Sequence, residues 1–185
     1  MQFEPTHIPD VVRIKPRVFG DARGYFMESY RRDLFARNVG DIDFCQDNES
    51  SSVYGVIRGL HYQLPPYAQS KLVRVIFGRV LDVAVDIRAG SSTFGRHVAT
   101  LLSEENKYQL FIPRGFAHGF AVLSREAVLT YKVDAPYAPE YERSIRFDDS
   151  RINIDWPVPQ QDRRLSEKDQ KAPCLGEAEI FRQYL

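Results

Sequence analysis

Phe111-Ile112-Pro113-Arg114-Gly115-Phe116-Ala117-His118-Gly119-Phe120 joins two apolar runs through a proline-glycine turn. Proline fixes φ and removes a backbone donor, and glycine supplies the permissive backbone of a tight reversal, so the stretch reads as strand, turn, strand. His118 follows the turn directly, at a strand entrance. Upstream, residues 72–87 split at Gly78-Arg79 into two further strands. Val73, Val75 and Phe77 alternate in the first, and the second carries Asp82 and Asp86 on one face. Residues 11–14, 25–30, 98–102, 127–133 and 144–147 read as strands too, and 12 Phe and 10 Tyr suit that state. Many short strands with closely spaced turns and almost no helix imply an all-β sandwich or barrel.

The helical signals are few. Residues 33–39 suit a short helix with Asp33 as N-cap and Gly40 just past the end. Ser103-Glu104-Glu105-Asn106 resembles one capped turn, and Leu165-Ser166-Glu167-Lys168-Asp169 a helix start in the C-terminal tail. Residues 44–52 (Gln46, Asp47, Asn48, Glu49, then three serines) are polar and extended, and taken alone they read as a loop.

A chain of 185 residues suits one domain spanning 1–185, with a core at about 19–150 and a tail at 151–185 that helps close a site. Twenty-five basic residues balance 25 acidic ones, which removes the field that sequence-independent nucleic-acid binding needs. Cys45 and Cys174 have neither disulfide-framework nor metal-site spacing, as expected of a reducing compartment. The first residues lack a basic-then-apolar leader pattern, and Arg79, Asp82 and Asp86 interrupt the apolar runs. The expectation is a cytoplasmic protein, with no membrane span and no nucleic-acid partner.

Arg58-Gly59-Leu60-His61-Tyr62-Gln63 is the second informative stretch. It places a cation, a glycine and an imidazole within four residues, and a second cation, Lys71, follows closely. Positive neighbours and desolvation keep an imidazole neutral, the form that accepts a proton. A core histidine bonded to backbone would account for this stretch equally well. Taken singly, Tyr131 is a half-buried strand tyrosine, Asp169 a cap carboxylate, and Arg23 and Lys168 solvated charges.

Together the motifs are more specific. Pro113-x-Gly115-x-x-His118 resembles the second motif of cupins, the small jelly-roll barrels, and Lys71, then six residues, then Gly78 matches the spacing of the first. Metal-holding cupins carry His-x-His and a carboxylate there. This chain has His61-x-Gln63 and a cation at position 71, and an ammonium repels a divalent ion. The pattern is similar to one metal-free cupin family, the dTDP-4-dehydrorhamnose 3,5-epimerases. The similarity runs through Phe19-Gly20-Asp21-x-Arg23-Gly24, Gln46-Asp47-Asn48, Arg58 to Gln63, Gln69-x-Lys71-Leu72-Val73, Asp82-Val83-x-Val85-Asp86-Ile87-Arg88, residues 112–120, Tyr131-Lys132 and Leu165-Ser166-x-Lys168-Asp169.

That resemblance implies a cupin-type jelly roll with short helices near 33–39 and in the tail, and a reaction without metal or cofactor. The reaction would invert C3 and C5 of dTDP-4-dehydro-6-deoxy-D-glucose. Both carbons flank the C4 ketone, so each loses a proton to give an enolate and regains one on the opposite face. This needs a base, an opposed acid and positive charge near the ketone oxygen. By resemblance His61 is the base, oriented by Asp169, Tyr131 is the acid and Lys71 stabilises the enolate with His118 beside it. Arg23 and Arg58 suit the diphosphate. Gln46, Asp47, Asn48, Glu28, Glu142 and Lys168 supply polar contacts, and Tyr137 stacks on thymine. In this family Arg23 and Glu28 can reach a neighbouring subunit's site, which implies a homodimer. Two neighbouring readings are an epimerase acting at C3 or C5 only, and a non-catalytic sugar-nucleotide-binding cupin. A metal cupin oxygenase is disfavoured by Lys71 and Gln63.

Overall fold

The computed structural model describes residues 1–181. Its strands are β1 (Gln2–Pro5), β2 (Val12–Lys15), β3 (Val18–Asp21), β4 (Gly24–Met27), β5 (Gln46–Val53), β6 (Ile57–Gln63), β7 (Lys71–Phe77), β8 (Arg79–Asp86), β9 (His97–Ser103), β10 (Gln109–Ile112), β11 (Phe116–Val122), β12 (Glu126–Val133) and β13 (Glu142–Ser144). Two short α-helices, α1 (Arg32–Asn38) and α2 (Glu167–Gln170), complete the regular structure of the described residues with two single 3₁₀ turns. The all-β class expected from the turn spacing is the class observed.

Two antiparallel sheets form a jelly roll. One runs β1-β2-β10-β7-β12-β5, the other β13-β6-β11-β8-β9, and β3-β4 is a separate hairpin. Strand alternation sorts the side chains into three apolar layers. Val73 and Val75 of β7, Ala127 and Leu129 of β12, Val80 and Ala84 of β8, and Phe116, Phe120 and Val122 of β11 meet between the sheets. The opposite parity of the second sheet, including Ile57, Leu60, Tyr62, Val83 and Val85, is covered by the tail through Ile152, Trp156, Val158, Leu175 and Phe181. The outer face of the first sheet buries Ile14, Leu72 and Phe111 under Phe35 of α1.

Asp149 pins the tail. Its carboxylate accepts the backbone N–H of Arg151 at 2.8 Å, Ile152 at 3.2 Å and Leu175 at 2.7 Å. Trp156 Nε1 donates to Phe147 O at 2.7 Å.

Four local expectations shift. The polar stretch 44–52 is a strand from Gln46, zipped to β12 along its whole length, because pairing rather than propensity decides its state. Helix α1 begins with Arg31 at the N-cap and no side-chain cap; Asp33 lies in its first turn and pairs with Arg31 and Arg37 instead. The strand expected at 25–30 stops at Met27. The last strand is Glu142–Ser144, although Ile145 still exchanges both backbone bonds with Leu60.

Candidate active site

The space between the sheets is apolar at one end and polar at the other. His61 of β6 pairs in register with His118 of β11, which in turn lies opposite Ala84 of β8. Lys71 opens β7, and Tyr131 of β12 lies opposite Val73 of β7 and Asn48 of β5. The two histidines therefore stand on one sheet, and Lys71, Tyr131 and Asn48 on the other.

A β-bulge aims the first motif. Between His61 and Arg58 there are three residue steps, but their partners His118 and Phe120 are two steps apart. Without the extra residue Arg58 and His61 would face opposite sides of the sheet; with it, both face inward. Gly59 makes the bulge possible at φ +124°. A Cβ there would lie 2.5 Å from Gly119 Cα and 2.8 Å from His118 O. Gly119 is equally constrained, since its Cβ would meet Arg58 O at 2.7 Å. The glycines of both motifs are thus two halves of one close approach.

His61 Nε2 lies 2.5 Å from Asp169 Oδ1. The other carboxylate oxygen accepts from Ser166 Oγ at 2.8 Å, and the same Oγ accepts the Asp169 N–H at 3.1 Å as the N-cap of α2. Burial alone would raise the Asp169 carboxyl, but the bonds from His61 and Ser166 hold it below its ordinary value. A carboxylate there places the shared proton on Nε2 and leaves Nδ1 as the basic nitrogen. A cavity of about 300 Å³ is lined by Arg58, His61, Lys168 and Asp169 among others.

His118 repeats the arrangement deeper in the barrel. Its Nε2 is 2.9 Å from Asp82 Oδ2, and burial pushes its imidazole below the ordinary value despite that carboxylate. Lys71 is 9% exposed, and its ammonium lies 5.9 Å from the Tyr131 ring centroid. Desolvation lowers the Lys71 ammonium to about 8, against the pull of Asp82 and Glu142. Burial raises the Tyr131 phenol, with Arg58 opposing, so the hydroxyl keeps its proton.

Glu142 ties the rim together. Lys168 Nζ lies 2.5 Å from its carboxylate, and the Tyr137 hydroxyl donates to it at 2.8 Å. Gln46 Oε1 accepts the Tyr137 N–H at 3.2 Å. Gln63 holds the same aromatic loop from inside, donating to Tyr67 O and Pro136 O and accepting from Ala138 N. Arg58 leans on Ser52 Oγ at 3.1 Å.

Three expected residues stand apart. Asp47 points to the outer face of its sheet, bonded to Lys132 Nζ at 2.9 Å, because it alternates with Gln46 and Asn48. Arg23 sits on the β3-β4 hairpin with 90% of its side chain exposed and pairs with Asp21. Glu28 faces Arg31 at 3.9 Å. Two residues missed from sequence contact the central groups: Ser166 and Asp82. Both lie inside recognised motifs, and the aspartate at 82 repeats the parity of Asp86, which was the available signal.

A jelly roll whose interior holds two imidazole–carboxylate pairs, a buried lysine and a phenol on the facing sheet is a cupin equipped for proton transfer. The family model described as dTDP-4-dehydrorhamnose 3,5-epimerase matches residues 5–177, and the chain belongs to that family. It is 54% identical over 177 residues to the dTDP-4-dehydrorhamnose 3,5-epimerase of Shigella flexneri, covering 95% of this chain and 97% of that one. The structure of dTDP-6-deoxy-D-glucose-3,5-epimerase from Legionella pneumophila, in complex with dTDP-4-keto-L-rhamnose, superposes with a TM-score of 0.95 at 45% identity. It covers 100% of this chain and 99% of that one. The dTDP-4-dehydrorhamnose 3-epimerase of Streptomyces niveus is 37% identical, covering 96% and 86%.

Proposed function

We propose that this isomerase inverts C3 and C5 of dTDP-4-dehydro-6-deoxy-D-glucose to give dTDP-4-dehydro-β-L-rhamnose, in dTDP-L-rhamnose biosynthesis. The observation that supports this most is the division of labour between the sheets: His61 with Asp169 on one wall, Tyr131 on the other, Lys71 beside it. His61 Nδ1 takes the proton alpha to the C4 ketone, and the Lys71 ammonium stabilises the enolate oxygen. The Tyr131 hydroxyl delivers a proton to the opposite face. A buried cation costs desolvation, and its effect on a developing oxyanion is correspondingly large.

Arg58, Gln46, Asn48, Tyr137, Glu142 and Lys168 surround the mouth and are assigned to substrate, with His118 beside the sugar. Asp47 belongs to this set only through its neighbours, since its own carboxylate is turned outward. The tail is read as part of one domain with the barrel, because it carries Lys168 and Asp169 to the site. Lys71 occupies the position where metal cupins place a carboxylate, so activity is assigned to the protein's own groups. Full activity after chelation, unaltered by added divalent ions, is the expected result. Free and exposed Cys45 and Cys174 suit a cytoplasmic location.

A homodimer is part of this reading. The β3-β4 hairpin exposes Phe19, Tyr25 and Phe26, the last at 68%, together with Arg23. We assign that hairpin to the second copy, with Arg23 and Glu28 completing its site. Mixing inactive Arg23→Ala and His61→Ala proteins tests it: exchange should restore activity in the mixed dimer, and monomeric sedimentation with no restoration would reject it.

The reaction is tested by incubation with dTDP-4-dehydro-6-deoxyglucose in deuterated water. NMR should show inversion and deuterium at both C3 and C5. Inversion at C3 alone would move the protein toward the activity named for its Streptomyces niveus relative.

A further inference from the structure

Among the described residues, Asp82 is one of four carboxylates buried to within a few per cent, with Asp86, Asp149 and Asp169. The other three are saturated. Asp86 receives Arg88, Ser91 and Thr93, Asp149 three backbone N–H groups, and Asp169 both His61 and Ser166. Asp82 is fully buried and takes a single bond, from His118, while its Oδ1 has no hydrogen-bond partner among the described residues. A buried carboxylate with a bare oxygen is costly unless a nearby cation offsets the charge.

The charge count around Lys71 identifies that cation. The groups facing its ammonium are Asp82 of β8, His118 of β11, Tyr131 of β12 and Glu142 of β13, with His61 of β6 behind His118. Glu142 already pairs with Lys168, and Asp169 is engaged by His61. Of the two carboxylates that act on Lys71, Glu142 is matched to Lys168, and Asp82 is bonded to His118 alone.

We infer that Asp82 is a positioning residue for the proposed epimerisation: its charge keeps Lys71 protonated in the barrel interior, and its Oδ2 fixes His118 with the proton on Nε2, leaving Nδ1 free to accept a sugar hydroxyl. The inference rests on the function proposed above for Lys71, but the charge pair itself is observable without turnover. Burial drives Lys71 toward the neutral amine, which cannot stabilise an enolate, and Asp82 opposes that loss.

The test uses full-length protein carrying ¹⁵N-histidine and ¹³C-lysine, with the Lys71 and His118 signals assigned by single substitution. In the wild-type protein His118 should show the Nε2–H tautomer, and Lys71 Cε should titrate near pH 8. Asp82→Asn keeps an acceptor oxygen for His118 but removes the charge. Lys71 should then titrate at lower pH, and the alkaline fall of kcat/KM should move with it. The rate above pH 8 should drop on the order of tenfold, the effect of one log unit in ionisation. Asp82→Ala should add a mixture of His118 tautomers. An Nδ1–H tautomer in the wild-type protein, or an unmoved Lys71 titration in Asp82→Asn, would each overturn the inference. A moved titration in a protein that turns over no substrate would leave the charge pair standing and reject the epimerase reading instead.

Discussion

His61 and Asp169 are 108 residues apart in the chain, and their side chains meet at 2.5 Å. A four-residue helix in the tail thus completes a pair begun in the second sheet. Ser166 makes the contact rigid by capping that helix and bonding the free carboxylate oxygen. Replacing Asp169 with Asn removes the charge that holds the His61 proton on Nε2. Turnover should fall by about 10²–10⁴-fold while the fold persists, measured as kcat alongside circular dichroism. Because the Asp169 value is depressed in the folded state, its contribution to stability is fully present above the ordinary 3.8 and is lost as pH falls through the folded value.

Lys71→Ala removes a charge placed before the reaction begins. One such donor is commonly worth about 10²–10³ in rate, so kcat should fall by that amount with little change in the affinity for dTDP. A near-normal kcat in a folded variant would remove Lys71 from the mechanism.

Gly59 and Gly90 both have positive φ, but of the two only Gly59 has neighbouring backbone within 3 Å of the point where a methyl group would stand. Gly90→Ala should cost about 1–2 kcal/mol from its backbone conformation alone. Gly59→Ala should cost clearly more and disturb the register that turns Arg58 and His61 inward. Thermal unfolding of the two variants side by side measures the difference, and equal costs would contradict the bulge account.

Asp149→Ala breaks three bonds that fasten the tail far from any reacting atom. Its loss should destabilise the fold on the order of 2–3 kcal/mol, and hydrogen exchange should rise first in residues 149–176. Exchange confined to the barrel strands would show that the tail is held elsewhere.

The fold was legible because Val73, Val75 and Phe77 alternate and the short apolar runs are broken by Gly78 and the Pro113-Gly115 turn. The opposed positions of His61 and Tyr131 followed from motif resemblance, and the sheet assignment gives them a physical basis. β5 was hidden because Gln46 to Ser52 are poor strand formers held by pairing to β12. Once it is a strand, the outward turn of Asp47 follows from alternation. Asp82 was passed over because an aspartate sharing a strand face with Asp86 looks ordinary in sequence; its bond to His118 of β11 shows what it holds. The bulge at Gly59 has no local sequence signal, since it depends on Gly119, 60 positions on in the chain.

The central claim is that removal and delivery of the proton belong to different residues on facing walls. Deuterium at C3 and C5, followed together with product stereochemistry in His61→Ala and Tyr131→Phe, tests it most directly. His61→Ala should abolish both exchange and inversion, because no enolate forms. Tyr131→Phe should still exchange, as His61 returns a solvent-derived proton to the same face, while inversion falls by about 10²–10⁴-fold. Persistent exchange in His61→Ala, or full-speed inversion by Tyr131→Phe, would contradict the account.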